Sequence, residues 1–152
     1  MTLTWMVECA AYPSAASARR AADLNEFVEV NSDFNGKPLV SYLRAKTAES
    51  RGDFRDAVSK YLEIESTWPK ALLAPDALLA AGRLHAEKLD EPAKAQDLFA
   101  KVLQGYPASD VAAEAAYRKA VAVEARDGAK QSTLEAYQQA AAAHPKTEYG
   151  KR

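Results

Sequence analysis

The sequence predicts an all-helical protein, and three observations support this fold class. Alanine, the residue with the highest helix propensity, occurs 33 times among 152 residues. Strand patterns are missing from the sequence, because no stretch longer than a few residues alternates apolar with polar side chains. Prolines and glycines fall between long apolar-periodic runs, at positions where they start or end helices.

We predict seven helices, separated by connections of two to seven residues. Connections of this length make sequential helices antiparallel neighbours. The predicted helices cover residues 15–30, 38–51, 54–67, 75–88, 92–104, 110–127 and 131–143.

The predicted helix starts carry residues that suit a first turn. Asp53 is a predicted N-cap for the third helix. Pro75 and Pro92 suit the first helical position, where the missing N–H of proline costs nothing. Ser109 and Asp110 are predicted to open the sixth helix.

The predicted helix ends carry residues that stop a helix. Gly105 and Gly128 suit the left-handed position that follows many helices. Pro69, Pro107 and Pro145 each fall just beyond a predicted helix end.

One nine-residue pattern occurs three times at an interval of 38 residues. It reads YLEIESTWP at 61–69, FAKVLQGYP at 99–107 and YQQAAAAHP at 137–145. Each copy extends an apolar stripe with i, i+4, i+7 spacing, which places three residues on one helix face. The stripes are Ala57, Tyr61 and Ile64; Ala95, Phe99 and Val102; and, in weaker form, Thr133, Tyr137 and Ala140.

A fixed interval between such stripes predicts a repeat protein. One helix pair cannot bury its own stripe, whereas stacked pairs build a continuous core. We interpret the large rings of the stripes as core residues rather than as a cofactor site, because the repeated positions lack convergent polar groups.

The pattern resembles the tetratricopeptide-repeat (TPR) family, over about residues 38–145. The best match is GDF at 52–54 followed by Ala57, Tyr61, Ile64 and Pro69. The second match is formed by Gly82, Ala95, Phe99, Val102 and Pro107. The interval of 38 is longer than the ~34 residues usual in that family, Pro92 stands where an aromatic residue is common, and Thr133 replaces the small residue.

The longer interval and the ring–proline endings resemble a bacterial type of repeat, that of the Tol-Pal tetratricopeptide protein and the outer-membrane assembly lipoprotein. The resemblance implies a right-handed helix-pair solenoid of about three TPR-like repeats with an N-terminal capping helix. It also implies that the first helix of each pair lines an inner curve that binds other proteins. These inner helices would be 38–51, 75–88 and 110–127.

We predict one domain. Residues 1–14 are expected to form a flexible N-terminal segment, residues 15–145 a single TPR-like helical domain, and residues 146–152 a C-terminal tail. The first predicted helix would cap one end of the stack through Leu24, Phe27 and Val28.

Composition excludes several classes of function. The 20 basic and 21 acidic residues nearly balance, which argues against a nucleic-acid partner. No apolar run approaches the ~18 residues of a membrane span. The single cysteine, Cys9, excludes an internal disulfide. The N-terminus lacks the pattern of a signal peptide, so the expected location is cytoplasmic, with a periplasmic or envelope location as the alternative if the start is incomplete.

Residues with catalytic or ligand-binding chemistry are scattered. The six glycines are dispersed, so the sequence contains no phosphate-binding loop. His85 and Glu87 are two positions apart on a predicted helix and point to different faces. His144 takes the ring position before a repeat-ending proline. We therefore predict no catalytic residue, no metal site and no cofactor.

Six residues on the predicted inner helices are candidates for binding a partner. They combine aromatic anchors with cations, a composition enriched in binding hot spots. The cations favour a partner that carries carboxylates. The candidates are Tyr42, Lys46, Leu79, Arg83, Tyr117 and Arg118.

The leading hypothesis is a non-enzymatic adaptor or scaffold that binds a peptide or helix of another protein. One alternative is a structural subunit, in which the ends of the repeat array dock into a larger, possibly envelope-associated, assembly. Self-association through the terminal helices belongs to this alternative. A helical enzyme domain, with carboxylates or His85 in the groove, is the other alternative.

Overall fold

The computed structural model describes residues 36–145 and 147–149. Within these residues the backbone forms helices and no strand, so the predicted all-helical class is confirmed for this part of the chain. The predicted helix 15–30, the segment 1–14 and most of the tail 146–152 lie outside the described residues. The six described helices are α1 Lys37–Arg51, α2 Phe54–Thr67, α3 Ala74–Glu87, α4 Pro92–Gly105, α5 Ala112–Asp127 and α6 Gln131–Ala143.

Three of the six predicted helix starts that fall within the described residues are correct, and two others are off by one residue. Helices α2 and α6 have the predicted bounds, and α4 begins at Pro92 as expected. Asp53 occupies the N-cap of α2, although its side chain makes no capping hydrogen bond. Pro75 is the second residue of α3 rather than the first.

Two predictions of helix punctuation are wrong. Gly105 is the last residue of α4 and has no positive φ. Helix α5 begins at Ala112, two residues after Asp110. Two turns precede it: the Oγ of Ser109 donates to the carbonyl of Tyr106 at 2.8 Å, and the N–H of Ala112 donates to the carbonyl of Ser109 at 3.2 Å.

Two features of the backbone conformation recur at the interval of 38 residues. Three described residues have positive φ, namely Gly52 at 84°, Asp90 at 53° and Gly128 at 75°. They are 38 positions apart, and each lies in the connection between the two helices of a hairpin. The C-caps of α2, α4 and α6 also match one another, with φ/ψ of −132°/62° at Trp68, −136°/50° at Tyr106 and −133°/53° at His144.

The predicted stripes are buried in the first two copies. Tyr61 and Phe99 are 0% and 1% exposed, and their stripe neighbours are buried as well. In the third copy Thr133 and Ala140 are buried, whereas Tyr137 is only half-buried. In the third copy the aromatic ring therefore contributes less buried area to the core than in the first two copies.

The chain divides into two compact units, with the division after Ala77, inside α3. In the first unit α1 packs against α2. In the second unit α5 packs against both α4 and α6. The second unit also holds a close approach between α3 and α4, where the ring of Phe99 lies over Gly82. One domain over 15–145 stays a prediction.

Candidate functional site

Two of the six candidate residues, Tyr42 and Lys46, lie on α1 in the first unit. The ring of Tyr42 packs edge-on against Tyr61, with centroids 5.3 Å apart and an interplanar angle of 63°. Lys46 Nζ lies 3.4 Å from Glu49 Oε2, and the same carboxylate oxygen accepts a 2.8 Å hydrogen bond from the hydroxyl of Tyr61. Both candidates are thus joined to the pair formed by Tyr61 and Glu49, which also holds α1 to α2.

Leu79 and Arg83 lie on α3 in the second unit. Leu79 is 7% exposed, so little of its side chain is available to a partner. Arg83 is partly exposed, and its Nε lies 3.9 Å from Glu87 Oε1. This buried nitrogen has no hydrogen-bond partner among the described residues.

Arg118 on α5 bridges two carboxylates. Its Nη1 donates to Glu87 Oε1 at 2.9 Å and its Nε donates to Glu114 Oε1 at 2.5 Å. Because Glu87 also faces Arg83, one carboxylate is shared by two guanidinium groups. A carboxylate-bearing partner would have to compete with these intrachain pairs.

Tyr117 is the centre of a cluster of three tyrosines. Its ring centroid lies 5.9 Å from that of Tyr137 on α6 and 5.8 Å from that of Tyr149. The hydroxyl of Tyr137 donates to Glu124 Oε2 at 2.7 Å. Tyrosine rings at these distances attract one another beyond the burial of their area.

The tyrosines at the edges of this cluster have perturbed acidities. Burial, followed by the hydrogen bond to Glu124 and the charge of that carboxylate, raises the pKa of Tyr137 well above its usual range. Burial and the carboxylate of Glu114, which forms a hydrogen bond with Tyr149, raise the pKa of Tyr149. Both hydroxyls therefore stay protonated, as hydrogen-bond donors, over the physiological range of pH.

A surface pocket of about 360 Å³ lies elsewhere in the second unit, where α4 ends beside α5 and α6. A larger pocket of about 440 Å³ adjoins the tyrosine cluster. It brings together two of the predicted candidates, Tyr117 and Arg118, with apolar side chains of α5. Its lining consists of Ala86, Glu87, Asp90, Pro92, Phe99, Tyr117, Arg118, Val121, Ala122, Ala125 and Tyr149.

The pocket beside the tyrosine cluster is lined by side chains of several chemical kinds. It offers aromatic rings, apolar side chains and ion-paired guanidinium groups. The histidine on α3, His85, is buried, and its Nδ1 lies 2.7 Å from Glu91 Oε2, so this pair joins the end of α3 to the start of α4. Among the described residues, His, Cys, Asp and Glu side chains form no group of three that could hold a metal ion.

Sequence reasoning missed two residues at this surface. Glu114 is one of several charged residues of a predicted helix, and nothing in its type distinguishes it from the others. Its spacing of four from Arg118 is nevertheless typical of an ion pair. Tyr149 belongs to the predicted tail, which lies outside the periodic pattern. The only signal for Tyr149 was an aromatic residue in an otherwise polar segment.

No protein-family model matches the chain, and no curated protein and no solved structure matches it significantly. In the part of the chain that the structure describes, every helix is too short or too polar to cross a membrane.

Proposed function

We propose that this protein is a non-catalytic adaptor that binds a segment of another protein on the exposed face formed by α3 and α5. The proposal includes a TPR-like repeat architecture, in which α1, α3 and α5 are the first helices of three pairs. Two features that recur every 38 residues support this arrangement, namely a positive φ in the connection and closely similar φ/ψ values at the C-cap of the second helix.

The single observation that carries the proposal is the surface around Tyr117 and Arg118. Rigid helices supply its side chains, and it combines aromatic, apolar and guanidinium groups around a pocket of about 440 Å³. This composition matches that of protein-binding hot spots. Extended segments bind well to surfaces built on adjacent helices, because the helices fix the side chains before binding.

The test is a comparison of proteins captured from the native cell by the wild type and by a double variant, Arg83→Glu with Arg118→Glu. We expect at least one partner to be lost from the double variant, because the charges of the two guanidinium groups on this face are reversed. The matched control is Lys70→Glu with Lys101→Glu, which makes the same change of net charge at two exposed positions. Circular dichroism first establishes that both proteins are folded.

The Gln pair, Arg83→Gln with Arg118→Gln, guards against a folding defect. It removes both charges without placing a new carboxylate beside Glu87 and Glu114. Equal capture of every protein by the wild type, by the Gln pair and by a folded Glu pair would remove this face as the binding surface.

A second candidate function, a structural subunit that docks through α6, is supported by a different feature. The pocket of about 360 Å³ is lined largely by small and apolar residues of α4, α5 and α6. Ala143→Arg would fill this pocket from an exposed position of α6. Complexes that survive the Arg83 and Arg118 changes but not Ala143→Arg would favour this candidate over the adaptor.

A further inference from the structure

The chain's own Tyr149 contacts the surface proposed above. Its ring lies 5.8 Å from that of Tyr117, with an interplanar angle of 37°, and its side chain forms a hydrogen bond with Glu114. Glu114 in turn accepts from Arg118 Nε at 2.5 Å, and Arg118 is anchored at its other end by Glu87. The ion pairs that link Glu114, Arg118 and Glu87 therefore fix the position of the Glu114 carboxylate, which is the hydrogen-bond acceptor for Tyr149.

These contacts select for a tyrosine side chain. The ring of Tyr117 provides an aromatic surface, which any aromatic residue could use. The carboxylate of Glu114, which also accepts from Arg118, has room for a further hydrogen bond, which the phenol supplies and phenylalanine cannot. An aliphatic residue at this position would lose both interactions.

The neighbouring pocket remains open beside Tyr149. Phe99, Val121, Ala122 and Ala125 give this pocket an apolar wall, and Val121 is exposed. A segment that places a tyrosine at Glu114 therefore has space next to it for an aliphatic side chain. The segment 147–149 brings no aliphatic residue to the pocket.

We propose that Glu114, Tyr117 and Arg118 form a tyrosine-binding site, for which 147–149 is a resident occupant and a partner segment bearing a tyrosine beside an aliphatic residue is the ligand. The partner would displace Tyr149 and gain the aliphatic contact that 147–149 does not make. This inference rests on the proposed adaptor function, whose binding face it defines, and it names the chemistry of the ligand.

The experiment uses the full chain and a labelled peptide of its own residues 144–152, HPKTEYGKR. Binding is measured by fluorescence anisotropy to the wild type and to Tyr149→Ala, which empties the site. We expect at least tenfold tighter binding to Tyr149→Ala, because a tethered occupant competes at an effective concentration in the millimolar range. Peptides with the tyrosine replaced by Phe or Ala should bind several-fold more weakly and not measurably, respectively.

A second peptide, HPKTEYLKR, tests the aliphatic contact, because it places leucine directly after the tyrosine. It should bind Tyr149→Ala more tightly than HPKTEYGKR does. The variant Tyr149→Ala with Arg118→Gln should lose several-fold affinity for both peptides, since Arg118 no longer holds Glu114. Leu134→Ala, an exposed change on α6, is the control that should leave both affinities unchanged.

The tyrosine-binding site is overturned by either of two results. One is equal affinity of HPKTEYGKR for the wild type and for Tyr149→Ala. The other is no binding to Tyr149→Ala at about 5 mM peptide, a concentration in the range that a short tether supplies. If two copies exchange their 147–149 segments, sedimentation would show a dimer of the wild type that Tyr149→Ala abolishes. The ligand of the site would then be a second copy of this chain, and the proposed partner segment would be wrong. Because the assay needs no cellular partner, its failure is distinct from an unsuccessful capture experiment.

Discussion

The ring of Phe99 occupies the space that a side chain at Gly82 would need. A Cβ built on Gly82 would lie 2.5 Å from Cε1 of Phe99 and 2.9 Å from its Cδ1. Real Cβ atoms do not approach carbon so closely, and Phe99 is nearly fully buried. Glycine in the middle of α3 is therefore what allows α4 to bring its aromatic residue into the core.

Gly82→Ala should destabilise the protein even though alanine is the better helix former. Alanine gains about 1 kcal/mol in helix propensity, whereas overpacking a core costs about 1–3 kcal/mol and the buried ring cannot easily move. We expect a net loss of about 1 kcal/mol, the middle of the range that these two contributions allow, by chemical denaturation. Gly105→Ala, where an added Cβ meets no atom within 4 Å, is the matched control and should be neutral or stabilising. Adding Phe99→Leu should recover part of the loss, and a Gly82→Ala protein as stable as wild type would disprove the packing argument.

The three positive-φ positions should respond differently to substitution. Gly52 has φ/ψ of 84°/6°, in the left-handed helical region that asparagine tolerates. Gly128 has 75°/−169°, a region that essentially only glycine adopts. Gly128→Asn should therefore cost more unfolding free energy than Gly52→Asn, by about 1 kcal/mol or more. Neither change meets a steric obstacle, since both sites open to space, and equal costs in urea unfolding would contradict this prediction.

Asp90 occupies the same connection in the middle hairpin with φ of 53°. A non-glycine residue pays about 1–2 kcal/mol for this conformation, although aspartate is among the more tolerant residues. Asp90→Gly should leave the free energy of unfolding unchanged or raise it slightly, while Asp90→Val should lower it by about 1–2 kcal/mol. The comparison of the two thermal midpoints separates backbone strain from loss of the carboxylate, because both variants lack that group.

The pair formed by the buried His85 and the half-buried Glu91 should contribute measurably to stability. The change Glu91→Ala removes the carboxylate and leaves the buried Nδ1 of His85 without this hydrogen-bond partner. The free energy of unfolding should fall by about 1–3 kcal/mol. Glu91→Gln keeps an oxygen at the same place and should lose less. Glu63→Ala, at an exposed position of α2, provides the control. If Glu91→Ala and Glu63→Ala have the same small effect on denaturant unfolding, the contact carries no stability.

Tyr137 should make the protein sensitive to alkaline pH. Its pKa is raised in the folded state above the ordinary tyrosine value near 10. The folded state therefore holds the phenolic proton more tightly than the unfolded state does. This contribution is complete below pH ~10 and is lost as pH rises through the higher folded pKa. The stability of wild type should thus fall more steeply above pH ~10 than that of Tyr137→Phe, as measured by urea unfolding at a series of pH values. Parallel declines would show that Tyr137 ionises equally easily in both states.

The sequence predicts the helices better than it predicts the surface, for a physical reason. Helix bounds depend on local features, such as Pro92 at a helix start, that act through neighbouring backbone atoms. The ion pairs of Arg118 depend on which helices meet, because Glu87 is 31 positions away along the chain. Spacing cannot reveal such a partner.

Two misses have different causes. Asp90 gave no local sign of a left-handed conformation, yet it stands midway between Gly52 and Gly128, so the repeat interval contained the necessary information. The repeat interval gives no information about Tyr149, since the positions 38 and 76 residues before it are not tyrosines. The sequence predicts Leu79 as a partner-binding residue of an inner helix, whereas its side chain is buried, because a small rotation of the helix face moves a residue from the surface into the core.

The small share of buried residues in α6 has a consequence for how the molecule opens. Only Thr133 and Ala140 are buried there, whereas α4 buries four residues that include Phe99. The backbone amides of α6 should therefore exchange their hydrogens for deuterium sooner than those of α4, through local opening that leaves the rest of the unit intact. A protein that packs on α6 would slow this exchange, so deuterium uptake would locate its footprint without any knowledge of its sequence.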